Sequence, residues 1–323
     1  MMRVPPKPVR RLLIAPLVVL LDVALLALSP FVVVLAALVS PLFGGARSLR
    51  MALIVLAYVR HHLEAVVRLL RLRGARDQSV HYEVMRRFVS GVYDAVVRLA
   101  RVEVHVDETS PAHRALSAAQ RPVVLLSRHA GEGDTLLVVH EMLCRHRRAP
   151  RVVMHEALQL DPLIDLLGNR LPNRFVDPRG GDTEREIAAM ARELDAAGAL
   201  IIFPEGGNFS HERRRRGIER LRRAGHEKQA AAAHAMRHVS APRPGGALAA
   251  IDAAPHADVV IMGHVGFPNG LGEVWRLLPH RQAIEIKLWH EPAESIPEEH
   301  GARIEWLFDR WRRLDAWVEE RNR

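Results

Sequence analysis

PVVLLSRHAGEGDT, residues 122–135, joins a short apolar run to a turn that holds glycines and charge. Residues 123–126 are valine and leucine and predict a buried strand, while the apolar stretch 136–144 predicts a helix after it. Chemistry would sit at the strand-to-helix turn, where His129 and Asp134 stand five positions apart. On one continuous helix that spacing would set the two side chains about 140° apart, facing different directions. Gly131 and Gly133 predict a bend instead. A bend lets Asp134 open the helix as an N-terminal carboxylate, reach back to one imidazole nitrogen, fix its tautomer and stabilise its protonated form. His129 is then placed as a general base. The same residues also fit a polar loop histidine and an ordinary helix cap, so the pair needs a second signal.

That signal lies at residues 199–210, ALIIFPEGGNFS, another buried strand that runs into proline, glutamate and two glycines. Around Glu205, Gly206 and Gly207 the backbone N–H groups can approach an anion closely, and the arginines at 213–216 add positive charge, which suits a phosphate-bearing ligand. An ordinary strand-ending turn followed by a solvated basic helix face has the same composition.

Taken in order, His-x-x-x-x-Asp after a strand and then Phe-Pro-Glu-Gly resemble the glycerolipid acyltransferase family typified by 1-acylglycerol-3-phosphate acyltransferases. The resemblance spans residues 104–289. Between the two blocks, RFVDPR at 174–179 resembles the family's second block, which implies that Arg179 helps to hold a glycerol phosphate. Downstream, VSAPRPGG at 239–246 resembles the fourth block of the subgroup that acylates lysophosphatidylinositol and related lipids, with Arg243 in the matching position. Three departures stand out. Arg128 occupies the place of a common asparagine, Pro178 sits where the second block has arginine, and Gly207-Asn208 replace the Thr-Arg that usually follows Glu-Gly, removing a phosphate-binding arginine.

The resemblance implies transfer of a fatty acyl group from a thioester to the hydroxyl of a lysophospholipid such as 1-acylglycerol-3-phosphate, in phospholipid biosynthesis. It implies His129 and Asp134 as the catalytic residues and Arg128, Arg179, Glu205, Gly206, Gly207 and Arg243 as substrate-binding ones. Without a side-chain nucleophile in the block, the acceptor hydroxyl attacks and His129 takes its proton. Backbone N–H groups near 131–133 or near 206–207 are the two candidates to stabilise the oxyanion or hold phosphate. Acyl-CoA is the implied donor, with acyl carrier protein as the alternative, and no cofactor or metal is called for. A rival reading, kept open by Arg128 and Asn208, is a catalytically inactive acyltransferase-like membrane protein that binds anionic lipid.

The rest of the 323-residue chain frames this centre. With 49% hydrophobic and only 5% aromatic residues it can bury a full α/β core and still spare a hydrophobic segment. Its net charge of +9 suits an anionic membrane surface or nucleic acid. Arginine-rich runs without interleaved aromatics argue against nucleic acid. A single cysteine, Cys144, rules out a disulfide framework. Neither Gly-x-Ser-x-Gly nor Gly-x-x-x-x-Gly-Lys occurs, which argues against serine hydrolases and NTPases, and at 140–144 Cys144 replaces the second histidine of a His-Glu-x-x-His zinc motif.

Residues 12–43 are apolar and would span about 48 Å as one helix, beyond the roughly 30 Å hydrocarbon core, so the segment must tilt or break. Ser29-Pro30 is the expected break. Arg3, Lys7, Arg10 and Arg11 before it, with Arg47 and Arg50 after it, favour a re-entrant hairpin with both ends and the catalytic domain on the cytoplasmic face. A single span and a cleaved signal peptide are the alternatives. A basic amphipathic helix at 48–73 fits either the membrane interface or scaffold packing. Helices at 82–99, 158–167, 184–197 (ended by Gly198) and 297–323 alternate with strands at 101–106, 151–155, 174–176, 259–262 and 283–289. The last helix sets Ile304, Leu307, Phe308, Trp311, Leu314 and Val318 on one face and is expected to pack on the domain, with membrane contact through its tryptophans as the alternative. This pattern predicts an α/β fold, a central mixed sheet wrapped by helices with an N-terminal hydrophobic membrane hairpin and a basic amphipathic helix. The expected division is an anchor at 1–46, amphipathic and scaffold helices at 47–100, a catalytic domain at 101–292 and a C-terminal helix at 293–323.

Overall fold

Unbroken apolar runs become the middle of the sheet. The computed structural model describes every residue except 1–3, 132, 177–182, 269–270, 281 and 323. Its strands are β1 (Val104–Val106), β2 (Val123–Ser127), β3 (Ala149–His155), β4 (Arg174–Val176), β5 (Gly198–Ile202), β6 (Asp258–Val265) and β7 (Ile284–Glu291). They form one mixed sheet in the order β1-β7-β6-β2-β5-β3-β4. β2 lies between β5 and β6 and is parallel to both, whereas β7 runs antiparallel to β6 and parallel to β1. Every residue of β2, β5 and β6 is buried, which is why these strands read as continuous valine, isoleucine and leucine rather than as an alternation.

The chain forms two compact units, each discontinuous in sequence: residues 1–103, 152–180 and 272–282, and residues 104–151, 181–271 and 283–323. In the second unit the final helix, His300–Arg321, buries Trp306, Leu307, Trp311, Leu314 and Trp317. Its tryptophans therefore face the core, in keeping with the expected packed helix and against the alternative of lipid contact. Full burial of a side chain as large as Trp311 stabilises the fold by roughly 3 kcal/mol. The helix expected at 184–197 ends sooner, at Arg192, and Gly198 is the first residue of β5 rather than a helix stop. A Cβ on Gly198 would come within 2.8 Å of the end of the Leu194 side chain and 3.1 Å of the Asp195 carbonyl, so the turn into the strand is tightly packed there.

In the first unit, the helix Arg47–Arg71 buries Leu56, Val59, Ala65, Val66 and Leu69. The last three join a cluster with Val84 and with Leu163, Leu166 and Leu167, so the apolar face of the basic helix is covered by protein. The expected helix at 158–167 is split into a 3-10 turn, Glu156–Leu160, and a helix, Pro162–Gly168. Asp161 causes the split: it accepts from the N–H of Ile164 as an N-cap, and Pro162 follows at the first helical position.

Among the described residues no single helix is long and apolar enough to cross a membrane; one pair, Lys7–Ala27 and Ser29–Phe43, reaches that composition together and is bent by 62°. The break falls at Leu28, one residue before Ser29-Pro30. Apolar side chains along the pair stand in the open, with Leu12 73%, Phe31 74% and Leu42 80% exposed. Polar groups tie the pair to the rest of its unit. Asp22 Oδ2 lies 2.6 Å from His62 Nδ1, and Asp165 receives Arg10 at 2.8 Å and Arg11 at 2.7 Å.

Candidate active site

β2 ends at Ser127, and the chain leaves the carboxyl edge of the sheet, the usual place for a ligand site in an α/β fold. Three main-chain contacts pin the turn. Arg128 N–H donates to the carbonyl of Met262 at 3.0 Å, His129 N–H donates to Glu205 Oε1 at 3.2 Å, and the His129 carbonyl accepts from Phe209 N–H at 2.8 Å. Gly133 then adopts φ 91°, the left-handed region that a side chain resists, and caps the helix Asp134–His140. The bend brings Asp134 back over the turn.

Asp134 Oδ2 accepts three hydrogen bonds: from His129 Nδ1 at 2.9 Å, from Ala130 N–H at 2.7 Å and from Gly131 N–H at 3.2 Å. The carboxyl is 1% exposed. Burial by itself would raise its pKa, but the hydrogen bond from His129, the nearby histidines and the Gly131 N–H hold it below the ordinary aspartate value. A carboxylate at Nδ1 assigns the proton of the neutral imidazole to that nitrogen, leaving a lone pair on Nε2. No hydrogen bond from a described residue engages Nε2, and the His129 side chain, tilted against Phe203 with ring centroids 4.6 Å apart, remains 21% exposed. The arrangement is a fixed, reachable base backed by an ionised acid.

Glu205 forms the floor beneath His129. Its Oε1 takes the His129 N–H and its Oε2 takes the Ser240 N–H at 2.7 Å. Burial pushes its carboxyl up to about 7, against the pull of those N–H groups and of the Arg128 charge. Glu205 thus ties the loop after β5 and the segment around Ser240 to the His129 turn. Arg128 holds backbone as well. Its guanidinium donates to the carbonyls of His264 at 2.6 Å and His238 at 2.9 Å, and the side chain is buried. Expected as a substrate contact, Arg128 is engaged here with two main-chain carbonyls.

Arg243 and the two glycines lie together. Gly206 at φ 71° packs so closely on the Arg243 guanidinium that a Cβ would approach its Cζ to 2.9 Å. Gly131 N–H is already given to Asp134 and Gly206 N–H to the Phe203 carbonyl. Of the N–H groups considered for an oxyanion or a phosphate, those of Gly133 and Gly207 make no hydrogen bond among the described residues. Arg179 lies outside the described residues.

His264 is a site residue that no motif in the sequence points to. It lies one residue before the end of the buried strand β6, donates from Nε2 to the Arg128 carbonyl at 3.1 Å and stands 3.8 Å from Asp134 Oδ2. Burial drives its pKa down to about 4, with the Arg128 charge acting in the same sense, so it is a neutral brace. The only sequence signal is an apolar run, 259–262, continuing through Gly263-His264. Asp315 is equally silent in the sequence; it accepts N–H groups of Arg237, His238 and Val239 and so shapes the segment that leads to Ser240.

A family model described as Acyltransferase matches residues 101–264, a span that contains His129, Asp134, Glu205 and His264. The chain belongs to the glycerolipid acyltransferase family. No curated protein matches it closely. Membership in the acyltransferases implies an acyl donor and an acceptor lipid.

Proposed function

We propose that the chain is a membrane-bound O-acyltransferase that moves a fatty acyl group from acyl-CoA, or from acyl carrier protein, to the hydroxyl of a lysophospholipid such as 1-acylglycerol-3-phosphate, in phospholipid synthesis. One observation carries the reading: His129 keeps Nε2 free while Asp134 holds Nδ1 at 2.9 Å. In this mechanism Nε2 removes the proton of the acceptor hydroxyl as its oxygen attacks the thioester carbonyl. The C–O bond forms, the carbonyl oxygen becomes an oxyanion, and Asp134 balances the imidazolium charge. Collapse breaks the C–S bond, and the proton on Nε2 passes to the leaving thiolate. Products are the acylated lipid and free thiol.

The bent apolar pair with exposed Leu12, Phe31 and Leu42 supports a membrane anchor, because contiguous apolar surface of that kind is rarely left in water. Arg47 and Arg50 at its downstream end support an active site on the cytoplasmic face. The inactive lipid-binding alternative draws on Arg128 and Asn208; the engagement of Arg128 with main-chain carbonyls, away from Nε2, weighs against it.

Membranes carrying the full chain should release thiol from acyl-CoA only when a lysophospholipid is added, and His129→Ala should abolish that release while keeping the thermal transition. Wild-type rates in His129→Ala, or no transfer to any member of a lysophospholipid panel from either donor, would refute the proposal. A chain lacking residues 1–46 should leave the membrane fraction or aggregate; a full-length protein found in the soluble fraction would speak against the anchor.

A further inference from the structure

Asp22 is the one charged residue in Ala15–Ala27, APLVVLLDVALLA, the first helix of the bent apolar pair. A carboxylate among such residues is costly unless it is paired, so it marks a place where the helix is held. Its partner is His62, a buried residue of the helix Arg47–Arg71. Acids engage both ring nitrogens: Nδ1 lies 2.6 Å from Asp22 Oδ2, and Nε2 lies 3.3 Å from Asp161 Oδ1. A neutral imidazole has one N–H and can donate to only one carboxylate, whereas an imidazolium donates to both. The geometry therefore calls for a charged His62. Burial opposes that charge, but the hydrogen bond and charge of Asp161, then those of Asp22, outweigh it and raise the pKa above the ordinary histidine value. The other groups around the imidazole do not compete for it. Tyr58, one turn earlier on the same helix, stacks on the ring with centroids 5.9 Å apart, and burial, then Asp161 and Asp22, push its hydroxyl up to about 12. From the helix Gln78–Ala100, Phe88 meets Tyr58 edge-on, and the neighbouring His61 turns toward Gly91 of that helix. Asp165, one turn after Asp161, is taken by Arg10 and Arg11.

We propose that His62, bridging Asp22 and Asp161 as an imidazolium, is a pH-sensitive latch that seats the helix Ala15–Ala27 on its unit and releases it when the ring loses one of its two N–H protons. Deprotonation leaves two carboxylates sharing a single N–H, so one loses its donor while the two repel. The start of the pair stays fixed, because the guanidinium groups of Arg10 and Arg11 keep their charge and their hold on Asp165. Release is therefore confined to the Asp22 end of the helix, next to the break at Leu28 where the pair is bent by 62°. Since the folded pKa is raised, the stabilisation is complete below the ordinary histidine value of about 6.5 and is lost as the pH climbs through the folded value. Mildly acidic conditions close the latch and alkaline ones open it. What it governs is how tightly the protein carries the exposed apolar side chains of the pair, Leu20 and Phe31 among them. The latch is a property of the first unit and holds whether or not the chain transfers acyl groups.

Spin-label distances on the full chain in detergent micelles, in a Cys144→Ser background, test it. Leu20 and Leu70 are 66% and 54% exposed and accept labels as Leu20→Cys/Leu70→Cys; Leu12→Cys/Leu70→Cys reports on the Arg10–Arg11 end. Between about pH 6 and about pH 9.5 the Leu20–Leu70 distribution should broaden and shift, while the Leu12–Leu70 distribution keeps its width. With Asp22→Asn added, the Leu20–Leu70 distribution should be the same at both pH values. In thermal melting of the unlabelled chain, Asp22→Asn should lower the transition by about 3 °C at the acidic pH and not at the alkaline one. In a His62→Gln background the effect of Asp22→Asn should no longer depend on pH. A Leu20–Leu70 distribution that does not change with pH overturns the latch, and that comparison needs no substitution at Asp22, His62 or Asp161. An Asp22→Asn effect of equal size at both pH values also overturns it, since a purely structural contact behaves that way. So does equal broadening of both label pairs, because the Arg10–Arg11 end would then be leaving as well.

Discussion

Replacing Asp134 by asparagine separates the charge of this residue from its shape. Oδ2 holds three donors, His129 Nδ1–H and the N–H groups of Ala130 and Gly131, while Oδ1 receives only a long contact from Thr135 Oγ1 at 3.4 Å. An asparagine oriented with its carbonyl oxygen in the Oδ2 position keeps all three donors satisfied and turns its amide toward the Thr135 hydroxyl. The opposite orientation would set the amide against two main-chain N–H groups and is disfavoured. The turn should therefore keep its form, and the loss is one unit of charge beside the imidazole. When His129 takes the acceptor proton, its charge centre lies roughly 4 Å from the carboxylate, where an effective dielectric constant of about 20 gives roughly 4 kcal/mol. At about 1.4 kcal/mol per decade, kcat should fall about a thousandfold with the KM values little changed. Thiol release followed with a chromogenic thiol reagent at saturating donor and acceptor gives kcat, and circular dichroism melting reports the fold. A kcat within tenfold of wild type at unchanged stability would refute the charge argument, since the remaining hydrogen bond would then suffice.

Glu205 should set an acidic limb. Its carboxyl lies at about 7 when folded, above the ordinary value, so its contribution to stability is greatest below the unfolded pKa and declines as pH rises towards 7, while the arrangement in which both oxygens accept N–H groups grows in over the same interval. Glu205→Gln, fixed in a neutral form, should show reduced transfer and a flatter pH dependence between about 5.5 and 8 than the wild type; an unchanged acidic limb in the pH–rate profile would exclude Glu205 as its origin. Asp315→Ala should destabilise the chain by about 3 kcal/mol, since the N–H groups of Arg237, His238 and Val239 lose their shared acceptor. A melting temperature equal to that of the wild type would count against that role.

The parts of the fold that could be read from sequence are those whose burial leaves a local trace. β2 and β5 sit between other strands with both faces covered, so their residues are apolar without alternation and end abruptly at glycine and charge. The last helix writes its buried side in the spacing of Leu307, Trp311, Leu314 and Val318. The His129–Asp134 bend was readable for a similar reason, because a glycine at φ 91° is what allows a carboxylate five positions later to return to an imidazole. Contacts set by the sheet order leave no such trace. β6 lies beside β2 although a long stretch of chain separates them, and that pairing carries His264 to Asp134 and its carbonyl to Arg128.

Sheet order also explains why the arginines divided as they did. From the sequence, Arg128 and Arg243 were equivalent candidates beside matched motifs. A guanidinium sorts by what surrounds its end, and that is a property of three-dimensional neighbours. Arg128 leaves β2 into the space under the β6 terminus, where two main-chain carbonyls need donors and water is excluded, so its charge serves to hold the turn. Arg243 follows a segment that Asp315 and Glu205 fix through its N–H groups, which leaves its side chain to extend over Gly206 toward a cavity where, among the described residues, no acid pairs with it. Arg213, whose sequence context fits either an anion site or a solvated basic face, arrives at the same cavity because Gly207 has no side chain to stop it. A substitution at Arg128 should accordingly lower stability first and activity as a consequence, whereas a substitution at Arg243 should change substrate binding in a protein that remains fully folded.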